Sequence, residues 1–245
     1  MKGVILAGGL GKRLDPLTRV TNKHLLPVYD KPMIFYPIQT LVDAGVRDIL
    51  VVTGGNSAGD FLKLLGDGSE FGLTHLNYAY QRGEGGIAEA LKLAQDFVDG
   101  DKMVVVLGDN ILLGGIGEEV AIFNRQEGGA RILLKSVENP ERFGVARIDK
   151  ACLLEIIEKP KVAPSSYAVI GVYMYDKTVF DIINTLKPSG RGELEITDVN
   201  NDYLHRFKMT YGFYDGWWSD AGTFDSLLKV GDHLYLNRVN TAGGE

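Results

Sequence analysis

Short apolar runs that end on glycine alternate with helix-patterned segments through the first half of the chain. This order narrows the possible folds more than any other feature. Val4–Ala7 is stopped by Gly8-Gly9, as expected of a buried parallel strand entering a turn. Met33–Ala44 carries apolar residues at helical spacing (Met33, Ile34, Ile38, Leu41, Val42), follows Pro32 and ends at Gly45. Asp48–Thr53, Thr74–Tyr80 and Met103–Leu107 read as further strands. Ser57–Leu65, with Ser57 a candidate N-cap, and Ile87–Val98 read as helices. Such alternation predicts an α/β fold: an open, mostly parallel, Rossmann-like sheet with helices on both faces.

From Arg131 the pattern changes. Arg131–Val137, Gly144–Ile148, Cys152–Ile157 and Tyr167–Tyr175 are strand-like runs with short links, which predicts a smaller mixed or antiparallel β lobe with a hairpin turn near Asp149-Lys150. Thr178–Leu186, Glu195–Leu204 and Thr223–Leu236 are helical in pattern. No repeat of 20–50 residues and no linker divides the chain, so one domain over residues 1–240 is expected, with Thr241–Glu245 a frayed tail.

Glycine accounts for 31 of 245 residues, well above the usual share of about 7% and consistent with many tight strand-to-helix turns. A net charge of -6 without a Lys/Arg cluster argues against a nucleic-acid partner. No apolar stretch approaches the ~18 residues that span a bilayer, so no membrane partner is expected. Cys152 is the sole cysteine, which excludes an intramolecular disulfide and fits a reducing, cytoplasmic compartment. Its apolar surroundings, Cys152-Leu153-Leu154, suggest a small buried side chain rather than a nucleophile. His24, His75, His205 and His233 are scattered without zinc-ligand spacing.

The candidate chemistry begins at Leu6-Ala7-Gly8-Gly9-Leu10-Gly11-Lys12-Arg13-Leu14. A glycine turn after a strand lets backbone N–H groups approach a phosphate or base closely. The Walker pattern fails, because Leu6 stands where its first glycine should be and Arg13 follows the lysine in place of Ser/Thr. The dinucleotide pattern fails at Leu14. On the glycines alone, a connecting turn and a phosphate loop are equally compatible. Lys12-Arg13 tips the balance, since two cations beside a backbone nest suit a polyphosphate.

Further ordered blocks continue from this loop: Leu6-Ala7-Gly8-Gly9-x-Gly11-x-Arg13-Leu14-x-Pro16-Leu17-Thr18, Lys23-x-Leu25-Leu26-Pro27-Val28-x-x-Lys31-Pro32-Met33, Gly108-Asp109-Asn110, Pro140–Val145, Glu158-Lys159-Pro160, Arg191–Asp198 and Trp218-x-Asp220-x-Gly222-Thr223. Together they resemble the signature of the sugar-1-phosphate nucleotidyltransferases, particularly shorter-chain members that use dTTP and glucose 1-phosphate. The resemblance implies a nucleotide-binding part over about residues 1–110, a sugar-binding part over about 111–228 and a C-terminal helix over about 223–236. It also implies the reaction of dTTP with glucose 1-phosphate to give dTDP-glucose and pyrophosphate, assisted by Mg²⁺. A sugar-phosphate oxygen attacks the α-phosphorus in line, without an enzyme nucleophile. That agrees with the absence of a convincing nucleophile among the residues themselves.

By the same resemblance, Arg13, Lys23, Asp109, Lys159 and Asp220 carry the chemistry. Leu6, Gly8, Gly9, Gly11, Arg13, Lys23, Gln81, Gly86 and Asp109 bind the nucleotide, with Gln81, Gly86 and the Gly8-Gly9 backbone at the base. Leu107, Phe143, Gly144, Glu158, Lys159, Val169 and Arg191 bind the sugar phosphate. Asp109 and Asp220 hold the metal, since Mg²⁺ takes one or two carboxylates plus phosphate oxygens and water. Pro160 is expected to bias Lys159 towards an extended conformation. Trp217 and Trp218 read as core aromatics, the commoner role.

The sequence departs from the pattern in three places. His24 stands where longer members carry Gln near thymine, and Phe143 where Tyr is frequent. The chain stops near residue 245, short of the C-terminal extension of the longer form, which bears on a second, regulatory nucleotide site and on the contacts of the expected homo-oligomer, a dimer or tetramer. A uridylyltransferase on the same or a related sugar phosphate is the alternative, which the Arg13, Asp109 and Asp220 chemistry does not separate. A non-catalytic sugar-nucleotide sensor would have been free to lose Arg13, Asp109 or Asp220. A metal-dependent glycosyltransferase would want Asp-x-Asp, which Gly108-Asp109-Asn110 lacks.

Overall fold

The computed structural model describes residues 1–242, and the last three residues of the expected tail lie outside the described residues. The chain opens with β1 (Lys2–Ala7), a small hairpin of β2 (Pro27–Val28) and β3 (Lys31–Pro32), and helix α1 (Phe35–Asp43). It continues through β4 (Asp48–Gly54), α2 (Ala58–Leu65), β5 (His75–Gln81), α3 (Ile87–Lys92), α4 (Gln95–Val98) and β6 (Met103–Leu107). The second half comprises β7 (Asn110–Leu113), α5 (Gly117–Arg125), β8 (Ala130–Ser136), β9 (Gly144–Asp149), β10 (Cys152–Glu158) and β11 (Tyr167–Tyr175). Helices α6 (Val179–Thr185) and α7 (Ile196–His205), strands β12 (Met209–Phe213) and β13 (Trp217–Asp220), and α8 (Phe224–Ala242) complete it.

The main sheet has nine strands. Its parallel block runs β6-β1-β4-β5, as the alternation requires, and β11 joins β6 antiparallel on the other side. The expected mixed region is continuous with this sheet: β8 pairs β11, β12 runs parallel to β8, and the β9–β10 hairpin extends it. Lys150 and Ala151 both have positive φ at the hairpin tip, where the turn was expected. A separate antiparallel pair, β7 with β13, is not visible in the sequence because its partners lie over 100 residues apart.

The uninterrupted apolar runs follow from burial on both faces. Val4, Leu6, Leu50, Val52 and Val105 belong to one core cluster, whereas Ile5, Ala7, Val51, Val104 and Val106 belong to the opposite one. Successive side chains of a strand point to opposite faces, so a strand covered on both sides must be apolar throughout. Helices α1 and α2 pack against the second cluster through Ile38, Leu41, Phe61 and Leu65.

Several expectations need correction. Ile87–Val98 is two helices, because Leu93 and Ala94 donate to carbonyls three residues back and tighten the backbone out of the α register. Ser57 occupies the N-cap position of α2, but its side chain makes no capping hydrogen bond. Cys152 is exposed: β10 is an edge strand, so its first residue faces solvent, as does Leu154. The tail does not all fray, since α8 continues through Ala242. Among the described residues, no helix is long and apolar enough to cross a membrane.

Candidate active site

The carboxyl ends of β1, β4, β5 and β6 converge, and open α/β sheets bind ligands beyond such ends. Here Gly8 follows β1, Gln81 closes β5, and Leu107 and Asp109 mark the end of β6. Gly54, at the end of β4, meets Gly8 so closely that a Cβ on it would lie 2.5 Å from the Gly8 carbonyl oxygen. Gly108 N–H donates to Leu6 C=O at 2.9 Å, tying the two loops together. These contacts set one wall of a cavity of about 470 Å³ that extends to β9, β10, β11 and α7.

Of the residues singled out in the sequence, Leu6, Gly8, Gly9, Arg13, Lys23, Gln81, Gly86, Leu107, Asp109, Phe143, Gly144, Glu158, Lys159, Val169, Arg191 and Asp220 all line this cavity. Gly11 does not. With φ +67 it starts the single turn Lys12–Leu14, whose Leu14 is fully buried and anchors the loop. Lys12 also stands off the cavity wall, paired with Glu84, so Arg13 alone of the two loop cations faces inward.

The acidic and basic groups are interlocked. Lys23 Nζ donates to Asp109 Oδ2 at 2.5 Å, and Asn110 Nδ2 donates to Asp109 Oδ1 at 3.0 Å. Burial alone would raise the Asp109 carboxyl. The Lys23 and His24 charges and the two hydrogen bonds outweigh it and hold the group well below the usual carboxylate range. Asp220 sits across the strand pair from Asn110, and Ala221 N–H donates to Asp109 C=O at 2.8 Å. Burial and the Asp109 charge raise the Asp220 carboxyl, against Arg142, Arg13 and Lys23. Gly222 makes room for this approach: a Cβ there would lie 2.8 Å from Arg13 Nη2 and 3.2 Å from Asp220 Oδ2. His24 is fully enclosed, its Nδ1 2.7 Å from Asn22 Oδ1, and burial pushes its imidazole down to about 3.

In a second charged group lining the same cavity, Glu158 Oε2 accepts from Thr197 Oγ1 at 2.6 Å, and Glu158 Oε1 faces Arg191 at 3.3 Å and Lys159 at 3.6 Å. Lys159 is not extended as its neighbour Pro160 suggests. It has φ +43, in the left-handed region, and its N–H donates to Phe143 C=O at 2.9 Å as the β9–β10 ladder ends. Such a conformation costs a non-glycine residue on the order of 1–3 kcal/mol and concentrates at functional sites. Arg191 is clamped by both oxygens of Glu195, which stands at the N-cap position of α7, so the expected phosphate cation is held by an acidic partner.

Sequence reasoning passed over several cavity residues. Asn110 is buried and accepts from Gly171 N–H at 2.9 Å and Trp218 Nε1 at 2.7 Å, joining three strands at one amide. Trp218 packs against the second core cluster, as expected, and also lines the cavity edge-on to Phe143, while Trp217 packs on a smaller cluster and stacks on His233. Arg142 approaches Asp220 at 3.8 Å. Asn110, Arg142 and Trp218 sat inside quoted blocks and carried a signal; Tyr173 and Asn200 carried none.

Residues 2–235 match the Nucleotidyl transferase family. The chain belongs to that family. Relatives of this nucleotidyl transferase include a glucose-1-phosphate thymidylyltransferase of Mycolicibacterium smegmatis, 49% identical over 96% of this chain and 82% of the relative. One of the same name from Neisseria meningitidis is 44% identical over 94% and 81%. Among solved structures, a Bacillus anthracis protein provisionally named glucose-1-phosphate thymidylyltransferase superposes with a TM-score of 0.91 at 53% identity, covering 95% of this chain and 94% of that one. A UDP-glucose pyrophosphorylase shares the fold at a TM-score of 0.86 and 22% identity.

Proposed function

We propose that this nucleotidyl transferase joins dTTP and glucose 1-phosphate to give dTDP-glucose and pyrophosphate. The observation that carries the reading is a single cavity lined both by Arg13, Lys23, Asp109 and Asp220 and by Glu158, Lys159 and Arg191, two charged groups each tied together by its own ion pairs or field. Two sets of cations in one cavity suit two anionic substrates. Relatives 43–49% identical over nearly the whole chain bear the name of that activity.

In this reading Lys159 and Arg191 hold the sugar phosphate, and Glu158 accepts from sugar hydroxyls. A phosphate oxygen of the sugar then attacks the α-phosphorus; the new P–O bond forms as the bond to the β-phosphate oxygen breaks, and pyrophosphate leaves. Arg13 bears the charge that develops on the leaving group. Positioning and charge stabilisation of this kind need no protein nucleophile. Cys152 lies away from the cavity, on the edge hairpin.

Asp109 and Asp220 fit a magnesium ion. The two carboxylates share one cavity, and the Asp109 charge raises the Asp220 carboxyl, a burden that a dication relieves. An ion held by these two carboxylates would complete its shell with phosphate oxygens and water. When bound it would neutralise phosphate charge. The nucleotide part over residues 1–110 and the sugar part over 111–228 form one proposed domain, supported by the sheet that runs through both. A cytoplasmic homo-oligomer is the proposed state, supported by the lone cysteine and by exposed Leu228, Tyr235 and Leu236 on α8.

Pyrophosphate release measured over dTTP, UTP, ATP and several sugar 1-phosphates tests the proposal. The highest kcat/KM is expected for dTTP with glucose 1-phosphate. Some use of UTP is also expected, because a methyl in an apolar pocket is worth only about 10–200-fold. Efficient turnover of ATP, or none of dTTP, would overturn it.

A further inference from the structure

Glu89 lies on α3, outside the cavity lining, yet it bonds to Gln81, the lining residue expected at the base. Gln81 Nε2 donates to Glu89 Oε2 at 2.9 Å and to the Gly86 carbonyl at 3.3 Å. An amide end held between a carboxylate and a carbonyl must be its NH₂ end, because neither neighbour has a proton to offer. Both N–H bonds of the amide are therefore spent within the protein. Oε1 is left on the opposite side, against Gly8, where a Cβ would overlap it. Space for the carboxylate comes from Gly85, since any side chain there would run into Glu89. Gln81 is almost fully buried, so its amide has little freedom to find other partners.

We propose that Glu89 is a positioning residue that fixes the Gln81 amide with its oxygen towards the base, so that the site admits a pyrimidine bearing N3–H and turns cytosine away. The inference rests on the reading that the chain uses dTTP, and it deepens that reading by naming the atom that discriminates. Thymine and uracil donate N3–H to Oε1. Cytosine offers a bare N3 lone pair to an oxygen lone pair, and Gln81 cannot turn to donate while Glu89 and Gly86 hold its nitrogen. Gln81 thus acts as an acceptor only, although a free amide could both donate and accept.

The test compares kcat/KM for dTTP and dCTP, with glucose 1-phosphate as the second substrate, in the wild type, Glu89→Gln and Glu89→Ala. A site built around one hydrogen bond rejects the analogue lacking it strongly, so the wild type should prefer dTTP by about 10³-fold or more. Gln at position 89 keeps the shape but can donate as well as accept, which frees the Gln81 amide to turn. The preference should then fall by about 10-fold or more, the value of one hydrogen bond to a charged group. The change should appear as a higher KM for dTTP and a lower KM for dCTP, with an unchanged unfolding midpoint. A preference within twofold of wild type in both folded variants would overturn the role of Glu89 while leaving the substrate reading intact. A wild type that uses dCTP as well as dTTP would overturn it whether or not the variants fold. A wild type inactive with dTTP would remove the substrate reading and this inference together.

Discussion

Gly54→Ala tests whether close backbone contact positions the glycine loop. Gly54 is buried at the end of β4 and does not line the cavity, and its φ of -159 is extended, so alanine adds no backbone strain. The added methyl would lie 2.5 Å from the Gly8 carbonyl oxygen and 3.1 Å from Gly8 Cα. The shorter contact is about 1 Å inside ordinary van der Waals separation, and both partners are backbone, which cannot rotate away. Relief requires Gly8 to move by a similar amount, away from β4. Overpacking of this kind costs typically 1–3 kcal/mol of stability. A displacement near 1 Å at a positioning element costs about 10²-fold in rate. Pyrophosphate release should therefore show kcat/KM reduced by about two orders of magnitude, with unfolding that stays cooperative and loses about 1–3 kcal/mol in denaturant. A folded variant within threefold of wild-type kcat/KM would refute the reasoning, because it would mean that the Gly8 backbone need not be where it is.

Other expectations are simpler. Arg13→Ala should lower kcat by on the order of 10³-fold, the scale of an arginine serving a phosphoryl transition state, with the unfolding midpoint unchanged. Asp109→Asn and Asp220→Asn should each lower activity and raise the magnesium concentration needed for half-maximal rate; a variant with wild-type magnesium dependence would remove that residue from the proposed pair. Asp176→Asn should cost about 1.5–3 kcal/mol in urea unfolding, because its carboxylate accepts from Gly129 N–H, Thr178 N–H and Oγ1, and Tyr203 Oη. Burial opposes ionisation of Asp176, but these bonds hold its carboxyl below the ordinary value. Its contribution is thus present above the unfolded value near pH 4 and is lost as pH falls through the lower folded value, so wild type and variant should converge in acid.

The parallel core was legible because burial on both faces writes itself as unbroken apolar runs: Val4–Ala7, Asp48–Thr53 and Met103–Leu107 each became a central strand. The glycine loop was legible for a related reason, since close approach to Gly54 and a left-handed Gly11 leave glycine no substitute. What escaped was set by distant partners. The β7–β13 pair depends on segments far apart in sequence, and Cys152 is exposed only because its strand ends up at an edge. Lys159 adopts a left-handed turn against the local preference before proline because a ladder bond to Phe143 closes there. Glu89 left no trace at all, being one more acid on a helix until folding brings Gln81 to it.

Phosphorus-31 spectra of the purified chain with dTTP, glucose 1-phosphate and Mg²⁺ test the central claim most directly. The account predicts that the sugar phosphate and triphosphate resonances decline together while a coupled pair of diphosphate signals from dTDP-glucose and a pyrophosphate singlet grow in equal amounts. Glucose 1-phosphate left untouched while dTTP is hydrolysed to inorganic phosphate, or no change in either substrate, would contradict it.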